Sequence, residues 1–130
     1  MNWVPIFLWL NGLLFVGYGL ACLWMPSLPA EYAGFKLATP SGAVEVVAMY
    51  GGLQAGFGVL LIVGARDATK RGTILLALAC VVGGLAAARF FGMAVHGASE
   101  YNLGAVVYES LTTLLALAAL RGRRHAEAVA

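Results

Sequence analysis

Charge is scarce in this chain and unevenly spread: Lys, Arg, Asp and Glu make up 11% of its 130 residues, and none occurs before Glu31. So low a charged share excludes an ordinary soluble domain, where it is about 25%. There are only two cysteines, Cys22 and Cys80, in no CxxC or other metal-ligand spacing, so neither a zinc-type site nor any other metal or cofactor is expected. Alternating apolar and polar runs are missing too, which excludes membrane-spanning strands. Of the four prolines, three fall between residues 25 and 42, leaving the remaining apolar stretches almost free of helix breakers.

What is present is hydrophobicity. Apolar residues make up 62% of the chain, with 17 glycines and a mean hydropathy of +0.87. Four apolar spans can be drawn, at about residues 3–25, 42–65, 73–95 and 104–120. Each is near the ~20 residues that a helix needs to cross a bilayer core of ~30 Å, the last being somewhat short. The expected fold class is all-α: one four-helix transmembrane domain over residues 1–130, with antiparallel helices in up-down-up-down order because the connections are short. The first span is read as a retained helix. Its leading residues MNWVP carry no Lys or Arg, and the uncharged run is longer than the ~7 to 15 apolar residues of a signal peptide.

Six of the eight basic residues lie in two segments, ARDATKRG (65–72) and the tail after Leu120 that opens RGRRH (121–125), including His125. By the positive-inside rule both segments, and hence both termini, are expected to be cytoplasmic. Trp3 and Trp24 suit the two interfaces, and Tyr32 and Phe35 an outer loop lying along the membrane surface. The net charge of +2 follows from this asymmetry and gives no signal for nucleic acid. On this topology Cys22 and Cys80 differ in height by more than about ten ångströms, beyond disulfide reach, and both read as small buried hydrophobes.

Within the spans stand three charges at similar depth. Glu45, Arg89 and Glu109 all fall in the outer third of the bilayer, within roughly a turn of one another. A lone Arg in hydrocarbon costs at least ~2.5 to 3.5 kcal/mol on insertion scales and usually pairs or faces a cavity. Helical phase puts His96 on the Arg89 stripe, with Gly92 and Met93 flanking. On the fourth helix Asn102, Glu109, Thr113 and Ala116 share a face, flanked by Thr112. On the second, Glu45 heads Ala48, Gly52 and Gly56, a small-residue seam. Tyr50 and Gln54 lie opposite that seam, on a face available to a second protomer or a partner membrane helix. Two carboxylates around one guanidinium leave a formal charge of −1, balanced by a proton on one Glu or on His96. The competing reading is that Arg89 snorkels to the headgroups and Glu45 sits at the interface.

With these residues in view, the chain resembles a family of small bacterial four-helix membrane proteins, the domain of unknown function 4345. The resemblance is carried by EVVAMYGGLQAGFG (45–58), ARFFGMAVHG (88–97) and YESLTTLLALAAL (108–120), and covers essentially the whole chain. It implies a bacterial inner-membrane protein with Glu45, Arg89 and Glu109 in the shared framework, and supplies no established activity. A more distant similarity to DoxX-type membrane proteins concerns architecture alone.

Three functions follow as expectations. The first is an accessory or ligand-binding membrane protein whose Glu45/Arg89/Glu109 cluster, with His96, Thr113, Tyr50 and Gln54 nearby, holds a membrane lipid, a lipid-like small molecule or a partner helix. The second is an enzyme using Glu45 or Glu109 as acid or base on a lipid, quinone or sterol-like substrate, with Arg89 stabilising negative charge; no nucleophile–base pair or metal spacing supports it. The third is a small oligomeric ion or drug transporter. Multidrug exporters of this size carry their essential carboxylate in a first helix, and here that helix is uncharged.

Overall fold

The structure, a computed structural model, describes residues 3–129, with side chains described through Arg123. The uncharged N-terminal stretch forms α1 (Trp3–Trp24). Pro26 follows it, and a short α2 (Ser27–Ala33) closes on Gly34, whose φ of 75° is the left-handed conformation that glycine adopts at a helix end. Thr39 then caps the next helix, its Oγ1 accepting from the Gly42 N–H at 3.1 Å, with Pro40 at the first helical position. That helix has three parts: α3 (Pro40–Val46), a π-helical turn (Val47–Gly52) and α4 (Leu53–Arg66). It is followed by α5 (Arg71–His96) and α6 (Glu100–Val129).

Four of these stretches are long and apolar enough to cross a membrane: Trp3–Trp24, Pro40–Arg66, Arg71–His96 and Glu100–Arg123. Among the described residues there is no strand. The fourth helix is not short, as the apolar run suggested. It begins four residues earlier, at Glu100, and its backbone stays helical to Val129 through the basic segment, because charge ends the hydrophobic run without breaking the hydrogen-bond ladder. Arg124 and His125 lie outside the residues whose side chains are described.

The chain divides into two compact units, residues up to Arg66 and residues from Asp67 onward. In the first, α1 and α4 pack antiparallel through glycines. A Cβ on Gly19 would lie 2.5 Å from the Ala55 nitrogen, and one on Gly58 2.6 Å from the Val16 nitrogen, so the two backbones touch. In lipid no hydrophobic gain separates one apolar contact from another, and such close van der Waals approach is what holds helices together. The seam is therefore Gly51, Ala55 and Gly58 against Gly12, Val16 and Gly19. The expected seam of Ala48, Gly52 and Gly56 is exposed instead. Gly51, Ala55 and Gly58 share the adjacent face of the same helix, roughly 80 to 100° round from that row; between Ala48 and Leu53 the helix widens into a π turn, the Leu53 N–H reaching back five residues to the Ala48 carbonyl.

In the second unit α5 and α6 form an antiparallel hairpin. Gly83 receives Thr113, whose Cγ2 lies 3.1 Å from the position of a Cβ there, and Arg123 Nε lies 3.7 Å from that of Gly72. The linking turn starts at Gly97, at φ 92°. Both cysteines are free, but only Cys22 is buried; Cys80 is exposed, contrary to expectation. A lipid-facing site suits a thiol as well as a core does, because both are apolar. The many other exposed Leu, Val, Ile and Phe side chains present the same kind of surface to lipid, and Trp3 and Trp24 are exposed at opposite ends of α1.

Candidate functional site: an arginine–carboxylate pair beside a hollow

Arg89 stands seven residues before the end of α5, and Glu109 nine residues into α6, so both are about 10 to 14 Å along their helices from the turn. The antiparallel register brings them face to face. Arg89 Nε donates to Glu109 Oε2 at 3.0 Å, and Nη2 to Oε1 at 2.8 Å. This is a bidentate pair, the strongest geometry a guanidinium offers a carboxylate. Glu109 is buried, its side chain 7% exposed, while that of Arg89 keeps 23%.

The remaining contacts come from the start of α6. Arg89 Nη1 donates to Asn102 Oδ1 at 2.8 Å, and the Asn102 amide donates to Ser99 Oγ at 3.0 Å. Ser99 caps α6: its carbonyl accepts from the Leu103 N–H and its hydroxyl from the Asn102 N–H at 3.3 Å. The Tyr101 ring stands 5.9 Å from the guanidinium carbon, within cation–π range. One deeper turn of α6 is fixed by Thr113, whose hydroxyl donates to the Glu109 carbonyl at 2.8 Å.

Beside the pair lies an open hollow of about 380 Å³, lined by one face of α5 and by Asn102. Leu85 and Ala88 form its apolar end, Arg89, Gly92 and Met93 its middle, and His96 and Gly97 the end at the turn. The stripe of Arg89, Gly92, Met93 and His96 that helical phase put together is one wall.

Of the other residues singled out from the sequence, Thr113 lies in the hairpin, while Glu45, Tyr50 and Gln54 belong to the first unit. Thr113 packs under Gly83. Glu45 belongs to the first unit, exposed on α3. Within the hairpin one guanidinium meets one carboxylate, so their formal charges cancel. Tyr50, in the π turn, packs its ring 6.4 Å from that of Phe35, and Gln54 is half-buried on the first turn of α4. Among the described residues no group of His, Cys, Asp and Glu could hold a metal. Sequence reasoning did not weigh Ser99 and Tyr101. The Ser99-x-x-Asn102 spacing just ahead of an apolar run is the signal that marks the cap.

The family model for a domain of unknown function, DUF4345, matches residues 4–120. No curated protein and no solved structure is significantly similar to the chain. The chain belongs to the DUF4345 family.

Proposed function

Taking that membership as the premise, we propose that this protein is a small integral membrane protein that binds a lipid-like amphiphile in the hollow beside Arg89. The carrying observation is a bidentate Arg89–Glu109 pair, held about 10 Å inside the helix end, with the Arg89 side chain still partly exposed beside a groove that has an apolar end at Leu85 and Ala88. A charge pair made only for packing gains little from an adjoining cavity. One that anchors a ligand needs an accessible polar edge and an apolar channel beside it. His96 and Asn102 supply further polar groups at the turn end, which suits a polar headgroup there and a tail along Leu85 and Ala88.

The setting we propose is a bacterial inner membrane with both termini cytoplasmic, supported by the basic residues of the 65–72 and 121–124 segments. This places the hollow in the extracytoplasmic half. An enzymatic role for Glu109 gains no support from the geometry: both its oxygens accept from Arg89, and a general base has to meet its substrate.

Native mass spectrometry of the detergent-extracted protein tests the reading. Gly92 lines the hollow and a Cβ there would meet nothing within 4 Å, so Gly92→Leu is expected to occupy it. The wild type is expected to carry one amphiphile per chain, and the variant, equally helical and equally stable, none. A wild type that is always ligand-free, or a Gly92→Leu protein that retains the same molecule, overturns it.

A further inference from the structure

The opposite end of the α5–α6 hairpin has a different chemistry. Lys70 and Arg71 open α5, and Arg121 and Arg123 lie where α6 reaches the same end, as the approach of Arg123 Nε to within 3.7 Å of the Gly72 Cβ position shows. Lys70 and Arg121 are exposed, and Arg71 and Arg123 half-buried. The described acid facing them is Asp67, which holds Lys70 Nζ at 3.2 Å. In sequence, Arg66 and Arg124 add to the positive side and Glu127 to the negative. The rest of the chain, by contrast, has Glu31, Glu45, Glu100 and Glu109 against Lys36 and Arg89. Positive charge is thus concentrated at this end of the hairpin, whose other described charges are Arg89, Glu100 and Glu109.

We infer that this basic end of the α5–α6 hairpin is a binding surface for the headgroups of anionic phospholipids. The cations stand where two membrane-spanning helices leave the hydrocarbon, Lys70 and Arg71 at the first turn of one and Arg121 and Arg123 at the last hydrophobic turn of the other. Clusters of four or more Lys and Arg at that level attract phosphodiester headgroups, each contributing while it lies within a Debye length of the surface. Exposed Lys70 and Arg121 stand at the level of the headgroups, with Arg71 and Arg123 half-buried beside them, and guanidinium and ammonium both attract phosphate. Arg71 and Arg89 are eighteen residues apart on one helix, about 27 Å, so this surface and the hollow are separate and do not share a ligand.

The test uses the full chain in mixed micelles containing equimolar phosphatidylglycerol and phosphatidylcholine, read by native mass spectrometry for retained lipid. Phosphatidylglycerol is expected to be retained over phosphatidylcholine by about tenfold at low salt, the preference collapsing toward parity at about 0.5 M salt. A variant with Lys70→Gln, Arg71→Gln, Arg121→Gln and Arg123→Gln is expected to lose the preference, and one with Arg71→Lys, Arg121→Lys and Arg123→Lys to keep most of it. Should the neutralised variant fail to fold, the salt titration of the wild type decides alone. Equal retention of the two lipids, a preference indifferent to salt, or displacement of the lipid by inorganic phosphate at matched concentration overturns the inference. Gly92→Leu leaves this preference untouched, which separates it from the ligand of the hollow.

Discussion

Arg89 and Glu109, twenty residues apart and on antiparallel helices, meet through two parallel hydrogen bonds of 3.0 and 2.8 Å. The pair joins α5 to α6 at a depth where neither charge can be left alone. Removing one partner strands the other in an apolar setting, whereas removing both strands nothing. Arg89→Leu is therefore expected to lower stability by about 3 to 5 kcal/mol. Arg89→Leu combined with Glu109→Leu should recover most of that loss. Denaturation in detergent across the full double-mutant cycle measures it. A loss under about 1 kcal/mol for the single variant would place Arg89 with exposed, weakly coupled ions instead.

Ser99 acts on the same pair from the turn. Its hydroxyl accepts from both the backbone and the side chain of Asn102, and Asn102 in turn accepts from Arg89. Ser99→Ala is expected to cost about 0.5 to 2 kcal/mol, the usual loss for an N-cap. Ser99→Asp should keep the cap. Amide hydrogen exchange over the first turn of α6 distinguishes a lost cap from a general loosening, because only the former confines faster exchange to residues near Asn102.

Much of this was legible before any coordinates, for a physical reason. A permanent charge in hydrocarbon must find company at its own depth, so Arg89 points to a carboxylate on a neighbouring helix, and Glu109 is that carboxylate. The helices were legible from apolar length alone. Faces were harder. In a soluble helix polar residues mark the outside, but here the outside is lipid, and Leu, Gly and Cys stand on both sides. The Cys80 thiol and the Ala48, Gly52 and Gly56 row were misplaced for that reason. Nor does anything in VAMYGG announce the π turn at Val47–Gly52.

The turn between Arg66 and Arg71 carries its own titration. The Asp67 carboxylate accepts from the Thr69 N–H at 2.9 Å and from the Thr69 hydroxyl at 2.6 Å. These bonds, led by the hydroxyl and followed by the backbone N–H and Lys70, hold its pKa down at about 2. A depressed carboxyl stabilises the folded turn at every pH above its unfolded value near ~3.9, and that contribution is lost as pH falls toward the folded value. Stability of the turn should therefore be flat from neutrality down to mild acid and fall only in strong acid. An NMR titration of the Asp67 side chain in micelles checks the value, and Thr69→Ala should return it toward the ordinary range.

The glycines of the first unit give the sharpest contrast. Gly19 and Gly58 each face backbone atoms of the opposite helix, where an added Cβ would sit at 2.5 and 2.6 Å. Backbone cannot move aside as a side-chain tip can, so Gly19→Ala and Gly58→Ala must push α1 and α4 apart. The expected cost is about 1 to 3 kcal/mol each. Gly17 and Gly56, on the same two helices, have nothing within 4 Å of a new Cβ. Alanine there removes a flexible residue from a helix and should be neutral or stabilising by up to about 1 kcal/mol. Unfolding of the four single variants in one detergent decides the matter. If Gly56→Ala proved as damaging as Gly58→Ala, the close approach of α1 and α4 through Gly19 and Gly58 would not be what holds the two helices together.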